Sequence, residues 1–418
     1  MHGRVFVTAP TGLAAWRVGG TTIHSFAGIK HSDRPVDELL DEIFESEHAV
    51  KRWQGCSCLV IDEISMISAN FLEKLDIIGR RVRQKESLPF GGIQLVFSGD
   101  FFQLPPIDKI MNDDSASDND NDNDDDSFML HERQASSRYA FESDIWNDLF
   151  DVFVMLKESF RHQNDAAFLK LLNSLRTGKQ REQTVSKLIR GASRDFDDTA
   201  SNTTSKQNNP PTKLYPTNAQ VDKENRFHLD ALGAVETMEY DARDTTKGKY
   251  KINNKSCPVP PHLTLKLGAS VMLLRNLDTS KGLVNGCLGE VVGFMESSSL
   301  PIVRFAPSNN RVTRVQRQRI TVNESTWERK SGGEVVATRT ALPLRLSYAL
   351  TIHKSQGQTL PRVLIDFKSR AFAAGMAYSA LSRATGFRGL AVKKLSVSDI
   401  RVSDKVIQWY QNLFGAVC

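Results

Sequence analysis

Leu59-Val60-Ile61-Asp62-Glu63 is an apolar run that ends in two adjacent carboxylates. A buried strand of that kind delivers an acid pair to the edge of a parallel sheet. There one carboxylate can hold Mg²⁺ through water while the other polarises an attacking water. Such a pair needs a phosphate cradle, Gly-x-x-x-x-Gly-Lys followed by Ser or Thr, whose backbone N–H groups and lysine grip a nucleotide. No such string occurs in the 418 residues. The sequence thus presents one half of a phosphoryl-transfer site without the other.

The elements that must position the pair alternate strand and helix. Arg4 to Thr8 reads as a strand and Gly12 to Val18 as a helix. Phe71, Leu72, Leu75, Ile78 and Val82 share one helical face, and Pro89 closes that element. Ile93 to Phe97 is a further strand, running into Ser98-Gly99-Asp100. Phe168, Leu171, Leu172 and Leu175 form another helical face that stops at Gly178. From Leu263 to Thr340 short β-rich runs broken by Asn285-Gly286 and Gly332-Gly333 predict a small β-barrel inserted in an α/β domain. Alternation returns with Arg345 to Ala349, Ile352 to Gln356, Val363 to Phe367 and a helix over 371–383. This order predicts α/β architecture with parallel sheets and function gathered at the carboxyl ends of the strands.

Composition narrows the partners. With 40% hydrophobic and 25% charged residues the chain reads as globular, and its length predicts two or three domains. It has no run of about 18 apolar residues, so no membrane span is expected. Cys56, Cys58, Cys257, Cys287 and Cys418 form neither a disulfide framework nor a zinc pattern. The net charge of +5 understates the basic character, because eight aspartates crowd between Asn112 and Asp126. With those eight set aside from the 49 acidic residues, 54 basic residues face 41, a balance suited to nucleic acid. The Asp/Asn tract at 111–127 is expected to be a disordered loop, and 197–211 a second low-complexity excursion.

A series of motifs then carries a resemblance. Thr8-Ala9-Pro10-Thr11-Gly12-Leu13-Ala14-Ala15 and Gly20-Thr21-Thr22-Ile23-His24-Ser25-Phe26 resemble single-strand-binding motifs of superfamily-one helicases. The stretch from Pro89 through Ser98-Gly99-Asp100-Phe101-Phe102-Gln103-Leu104-Pro105-Pro106 looks like the signature of the petite-integration-frequency (PIF) family of 5′-to-3′ DNA helicases. Glu158-Ser159-Phe160-Arg161, Leu172-Asn173-Ser174-Leu175-Arg176-Thr177-Gly178, Leu283-Val284-Asn285-Gly286, Thr351 to Thr359 and Tyr378 to Ala384 resemble the motifs that follow in that family. The resemblance covers nearly the whole chain apart from the two insertions. One departure is Met376, where the family usually has glutamine.

The resemblance implies roles for particular residues. Asp62 would hold Mg²⁺ through water, Glu63 would activate the attacking water, and Gln103 would sense the γ-phosphate of ATP. Arg161 and Arg383 would act as arginine fingers, with Gln356 and Gly357 coupling nucleotide state to strand grip. Pro10, Thr11, Gly12, His24 and Ser25 would bind single-stranded DNA, joined by His353, Lys354 and Ser355. Phe26 could stack on a base or belong to the core, and Arg80, Arg81, Arg83 and Lys85 could be a nucleic-acid patch or a solvated helix face.

The implied architecture is two RecA-like domains, 1–155 and 156–262 with 341–418, the first incomplete, and an SH3-like β-barrel inserted at 263–340. The implied activity is ATP-dependent unwinding of duplex or G-rich DNA by a monomer, in repair, recombination and telomere maintenance. Nucleus is the expected compartment, with mitochondrion as the alternative. In the family the phosphate loop lies just upstream of the strand that begins here at Arg4, so the chain reads as N-terminally truncated and weak or inactive as it stands. The competing readings are a catalytically dead single-strand-binding module and a mobile-element-derived helicase domain.

Overall fold

The computed structural model describes residues 4–30, 32–106, 138–178, 182–192, 211–247, 252, 257–305, 318–331, 334–367 and 373–415. The Asp/Asn tract expected at 111–127 lies outside them, as does the stretch at 197–211 except for Pro211. The chain divides into a larger unit, Met1–Gln220 with Leu350–Cys418, and a smaller one, Val221–Ala349. Among the described residues no helix is long and apolar enough to cross a membrane.

The larger unit holds two four-stranded sheets. The first is built from β1 (Arg4–Ala9), β2 (Thr21–Thr22), β3 (Cys56–Ile61) and β4 (Gln94–Phe97) in the order β2-β1-β3-β4, every pairing parallel. Register fixes which side chains share a face. Phe6, Leu59, Ile61, Leu95 and Phe97 lie on the face that belongs to the main core. Val5, Val7, Cys58, Val60 and Val96 lie on the other. That second face stands open: Val5 is 63% exposed and Val96 44%. Parallel sheets are ordinarily covered on both faces.

The helix Ala69–Arg83 covers the closed face. Ser68 caps it by accepting the Phe71 N–H at 3.3 Å, and Gln84 ends it in the left-handed region. The expected apolar face is buried in full at Phe71, Leu72, Leu75, Ile78 and Val82, each contributing about 1.5–3 kcal/mol of burial. Truncating Leu75, which is fully buried, would open a cavity at its centre. The C-terminal helix Asp404–Phe414 returns to the same core through Val406 and Tyr410.

The second sheet runs in the order Ala349–Thr351, Thr212–Tyr215, Val363–Asp366, Leu390–Lys393. Here successive residues are buried, as at Val363, Leu364 and Ile365, so both faces are covered. The helix expected over 371–383 is shorter, Met376–Leu381, because Gly375 enters it at φ 75° and Ser382 ends it. A Cβ at Gly375 would lie 2.3 Å from the Gln103 carbonyl oxygen, so only glycine lets this turn close onto the 98–106 segment.

The smaller unit is antiparallel. A five-stranded sheet orders Gln318–Thr321, Pro301–Phe305, Leu288–Phe294, Ser270–Leu273 and Leu344–Leu346 around a core of Val271, Leu273, Val291, Val303, Phe305 and Leu344. A three-stranded sheet of Ser325–Ser331, Glu334–Ala341 and Arg243–Thr246 is pinned by Arg339 Nε and Nη2, which donate to the two Asp244 oxygens at 2.7 Å each. The β-rich stretch expected at 263–340 lies inside this unit.

Candidate functional site

The acid pair leaves β3 at the carboxyl edge of the first sheet. Asp62 donates its backbone N–H to the Thr8 carbonyl at 2.8 Å, which ties it to the end of β1. Its Oδ1 accepts the Ser98 hydroxyl at 2.7 Å from the end of β4. Glu63 sits at φ 53°, ψ 44°, a left-handed conformation that costs a non-glycine residue about 1–3 kcal/mol and gathers at functional sites. Burial raises its pKa, and the carboxylates of Asp62 and Asp100 add to the rise, while Arg383 and Arg161 oppose it. A carboxylate with enhanced proton affinity beside fixed cations is suited to taking a proton from water.

Three guanidinium groups surround Glu63. Arg383 is buried, with Nε donating to the Ser379 carbonyl at 2.9 Å and Nη2 to Gln103 Oε1 at 3.1 Å. Arg161 donates through Nη1 to the Ser382 carbonyl at 2.9 Å and through Nε to Thr359 Oγ1 at 3.1 Å. Arg17, in the last turn of the helix Gly12–Arg17, bonds to the Gly357 carbonyl. Burial pushes Arg383 down to about 10, with Arg161 and Arg17 lowering it further, so it stays charged at neutral pH. Burial lowers Arg161 and Arg17 as well, and Glu63 opposes the fall in all three. Guanidinium groups gathered at a strand edge can meet an anionic ligand. Close by, Gln356 Nε2 is buried without a hydrogen-bond partner among the described residues, a donor left for a ligand. A Cβ on Gly357 would lie 3.7 Å from Glu63 Oε1, which places this backbone against the acid.

A second ion pair holds the loop that carries Gln103. Arg176 donates from Nη2 to Asp100 Oδ1 at 2.9 Å and from Nε to both Asp100 oxygens at 3.2 Å. Tyr378 donates its hydroxyl to Asp100 Oδ2 at 3.1 Å. The Arg176 guanidinium lies over the Phe102 ring at 4.5 Å, and Phe102 stacks on Tyr410 at 4.7 Å. Burial works against the Arg176 charge, but Asp100 outweighs it and the pKa rises. Sequence reading assigned no role to Arg17, Ser98, Asp100, Arg176 or Tyr378. Ser98, Asp100, Arg176 and Tyr378 lie in quoted motifs, yet their pairings span 36 to 278 positions and leave no local trace.

Of the residues assigned to DNA, two groups leave adjacent strands. Thr8 pairs with Thr21 and Ala9 with Thr22, so Pro10-Thr11-Gly12 and His24-Ser25 emerge side by side. Thr11 caps its helix by accepting the Ala14 N–H at 3.3 Å, His24 stacks on Phe71, and Ser25 is exposed. Lys354 is exposed, whereas burial pushes the neighbouring His353 down to about 4, leaving a neutral ring.

Two open readings are resolved and one expectation is corrected. Phe26 is core, buried between Phe6 and Trp53 with ring centroids 5.1 and 5.0 Å away, so it cannot stack on a base. Ser355 is fully buried and donates to the Ile352 carbonyl at 2.8 Å, which makes it a turn residue rather than a strand contact. Arg83 donates to the carbonyls of Trp53, Cys56 and Gly91, and Arg80 pairs with Asp76 at 2.8 Å, so this part of the basic helix serves packing.

Asp62 and the adjoining Glu63 offer hard oxygen ligands. Among the described residues no group of three or more His, Cys, Asp or Glu could hold a metal by itself. Mg²⁺ keeps much of its water and takes one or two carboxylates together with phosphate oxygens.

The parallel-sheet unit sets its acid pair beside arginines, and comparison with known proteins gives its lineage. The model of the PIF1-like helicase matches residues 2–119, and that of the DNA helicase Pif1 2B domain matches residues 252–294. The ATP-dependent DNA helicase PIF1 of Xenopus laevis is 34% identical over 409 residues, covering 98% of this chain and 57% of that protein. The crystal structure of Pif1 helicase from Candida albicans superposes with a TM-score of 0.80 at 34% identity, covering 98% of this chain and 88% of that one. That of Pif1 helicase from Bacteroides in complex with ADP-AlF3 and ssDNA gives 0.75 at 28% identity, covering 99% and 88%. The chain belongs to the PIF1-like helicase family, and it spans somewhat over half the length of the curated Xenopus relative.

Proposed function

We propose that this chain forms most of an ATP-dependent 5′-to-3′ DNA helicase that moves on single-stranded DNA as a monomer. The observation that carries the reading is Arg383 donating to Gln103 above Glu63, which joins residues 280 positions apart into one site. Glu63 takes the proton of the attacking water, Asp62 would hold Mg²⁺, and Arg161 and Arg383 neutralise charge on the transferred phosphoryl group. Mg²⁺, when bound, neutralises phosphate charge. Gln103 reports on the nucleotide to the 98–106 segment that Arg176 and Tyr378 fix through Asp100. The names of the curated relatives and the Bacteroides complex with ADP-AlF3 and ssDNA support this reading.

None of the 418 residues supplies a Gly-Lys-Ser/Thr loop, so these residues alone bind ATP weakly and turn it over near background. By family resemblance the work is genome maintenance, in repair, recombination and at telomeres, on duplex or G-rich structures, in the nucleus.

The test is unwinding by the chain with a Gly-Lys-Ser/Thr unit joined ahead of Arg4. Duplex carrying a 5′ single-stranded tail should be opened and duplex carrying a 3′ tail should not. Glu63→Gln should abolish opening while leaving strand binding intact. Opening from the 3′ tail, or turnover that survives Glu63→Gln, would refute the assignment.

A further inference from the structure

Between the exposed extended segment 151–158 and the helix Ala166–Arg176, a short turn makes a run of bonds to the end of the helix Met376–Leu381. Arg161 donates to the carbonyl of Ser382 at 2.9 Å. One residue on, His162 Nε2 lies 3.0 Å from the carbonyl of Ala384. Asp165 Oδ2 accepts the Phe387 N–H at 2.9 Å, and its Oδ1 accepts the Phe168 N–H at 2.9 Å. The two carbonyls taken by Arg161 and His162 flank Arg383. The backbone on both sides of one arginine is thus held by the segment that carries the other.

The protonation state of His162 follows from its partners. A carbonyl only accepts, so Nε2 carries the hydrogen and donates to Ala384. In a neutral ring Nδ1 is then an acceptor, and the Ser159 hydroxyl, 2.9 Å away, donates to it. The ring is buried, packed edge-on against Phe168, which packs in turn against Phe387. Burial lowers its pKa, and the charges of Arg161 and Arg383 lower it further against the Ala384 carbonyl and Asp165. The neutral Nε2–H form is therefore the one held at neutral pH.

We propose that His162 is a positioning residue, whose Nε2–H bond to Ala384 fixes the Ser382–Ala384 turn so that Arg161 and Arg383 are presented as one rigid pair. The proposal rests on the reading of these arginines as the groups that meet the nucleotide. A residue of similar volume without the donor would fill the space and leave the Ala384 carbonyl unpaired, freeing the turn. Glutamine places its amide nitrogen where Nε2 sits and keeps the bond. Sequence reading passed over His162 because nothing in Glu158-Ser159-Phe160-Arg161 shows that the next side chain meets a carbonyl 222 positions away.

The test uses the 418-residue chain labelled with ¹⁵N and needs no nucleotide, so failure of the helicase reading and failure of this proposal are separable. Long-range ¹H–¹⁵N spectra should show His162 neutral with hydrogen on Nε2. Exchange of the Arg383 Nε–H with water should be about tenfold faster in His162→Leu and within about twofold of the parent in His162→Gln. Arg161 should follow the same pattern. An Nδ1–H tautomer in the parent, or equal protection of Arg383 in the Leu and Gln variants, would overturn the proposal. If His162→Leu does not fold, Ser159→Ala carries the test. In that variant the Nε2–H tautomer and the Arg383 protection should be kept together or lost together, and loss of one without the other would overturn the proposal.

Discussion

In the second sheet Val363, Leu364 and Ile365 are buried in succession, whereas in the first sheet Val5 and Val96 stand open on one face while Leu59 and Ile61 are sealed on the other. Both sets of strands are written as continuous apolar runs, the pattern of strands buried on both faces. Only the second receives that burial among the described residues. Next to β4 the contrast repeats. In the extended segment after Phe150, Phe153 and Met155 pack on the core, while Val152, Val154 and Leu156 point outward, Leu156 at 88% exposure. The proposed site draws on both regions. The region of the covered sheet contributes Arg161 and Arg383, both bonded to neighbouring groups, and the buried Gln356. The open sheet contributes Asp62 and Glu63, whose phosphate cradle none of the 418 residues provides. Arg17, in the helix that follows β1, adds a cation from the open-sheet region.

That comparison can be broken at several points, and the largest effect belongs to the arginines. With a Gly-Lys-Ser/Thr unit joined ahead of Arg4, Arg383→Ala should lower single-strand-stimulated turnover on the order of 10³–10⁵-fold, measured by phosphate release. A loss below tenfold would remove Arg383 from the site. Next in size is the difference between the sheets in stability. Ile365→Ala in the covered sheet should cost about 2–5 kcal/mol by denaturant unfolding. Val96→Ala on the open face should cost about 0.5 kcal/mol or less. Equal costs would mean that the open face is covered in solution.

A smaller effect comes from Glu63. Its folded pKa is raised, so its contribution to stability is fully present below the unfolded value of about 4.3 and is lost as pH rises through the folded one. Glu63→Gln should therefore unfold at higher temperature than the parent at neutral pH, and the difference should close as the pH falls below about 4. A gap that widened on acidification would mean that the cations, not burial, dominate this carboxylate.

Much of this was legible in the sequence wherever a local pattern settles the matter. The apolar run before Asp62-Glu63 is a strand, and the Phe71–Val82 face is buried as its spacing required. Phe26 could not be settled locally, because an aromatic at a strand terminus is core or platform according to what packs on it, and here Phe6 and Trp53 close over it. Ser355 failed for the same reason, since its own turn consumes its hydroxyl. The helix expected over 371–383 was overestimated because Gly375 takes a left-handed conformation to let the chain close on Gln103. Arg17 and Asp100–Arg176 were invisible because long-range charge pairing has no sequence period.

The central claim of the proposed reading is that Glu63 serves hydrolysis once a Gly-Lys-Ser/Thr loop is supplied. Phosphate release with saturating single-stranded DNA, by the 418 residues alone and with the Gly-Lys-Ser/Thr unit joined, tests it most directly. The account predicts turnover near background for the first and an increase on the order of 10³-fold for the second. Robust hydrolysis by the 418 residues alone, abolished by Glu63→Gln, would contradict it.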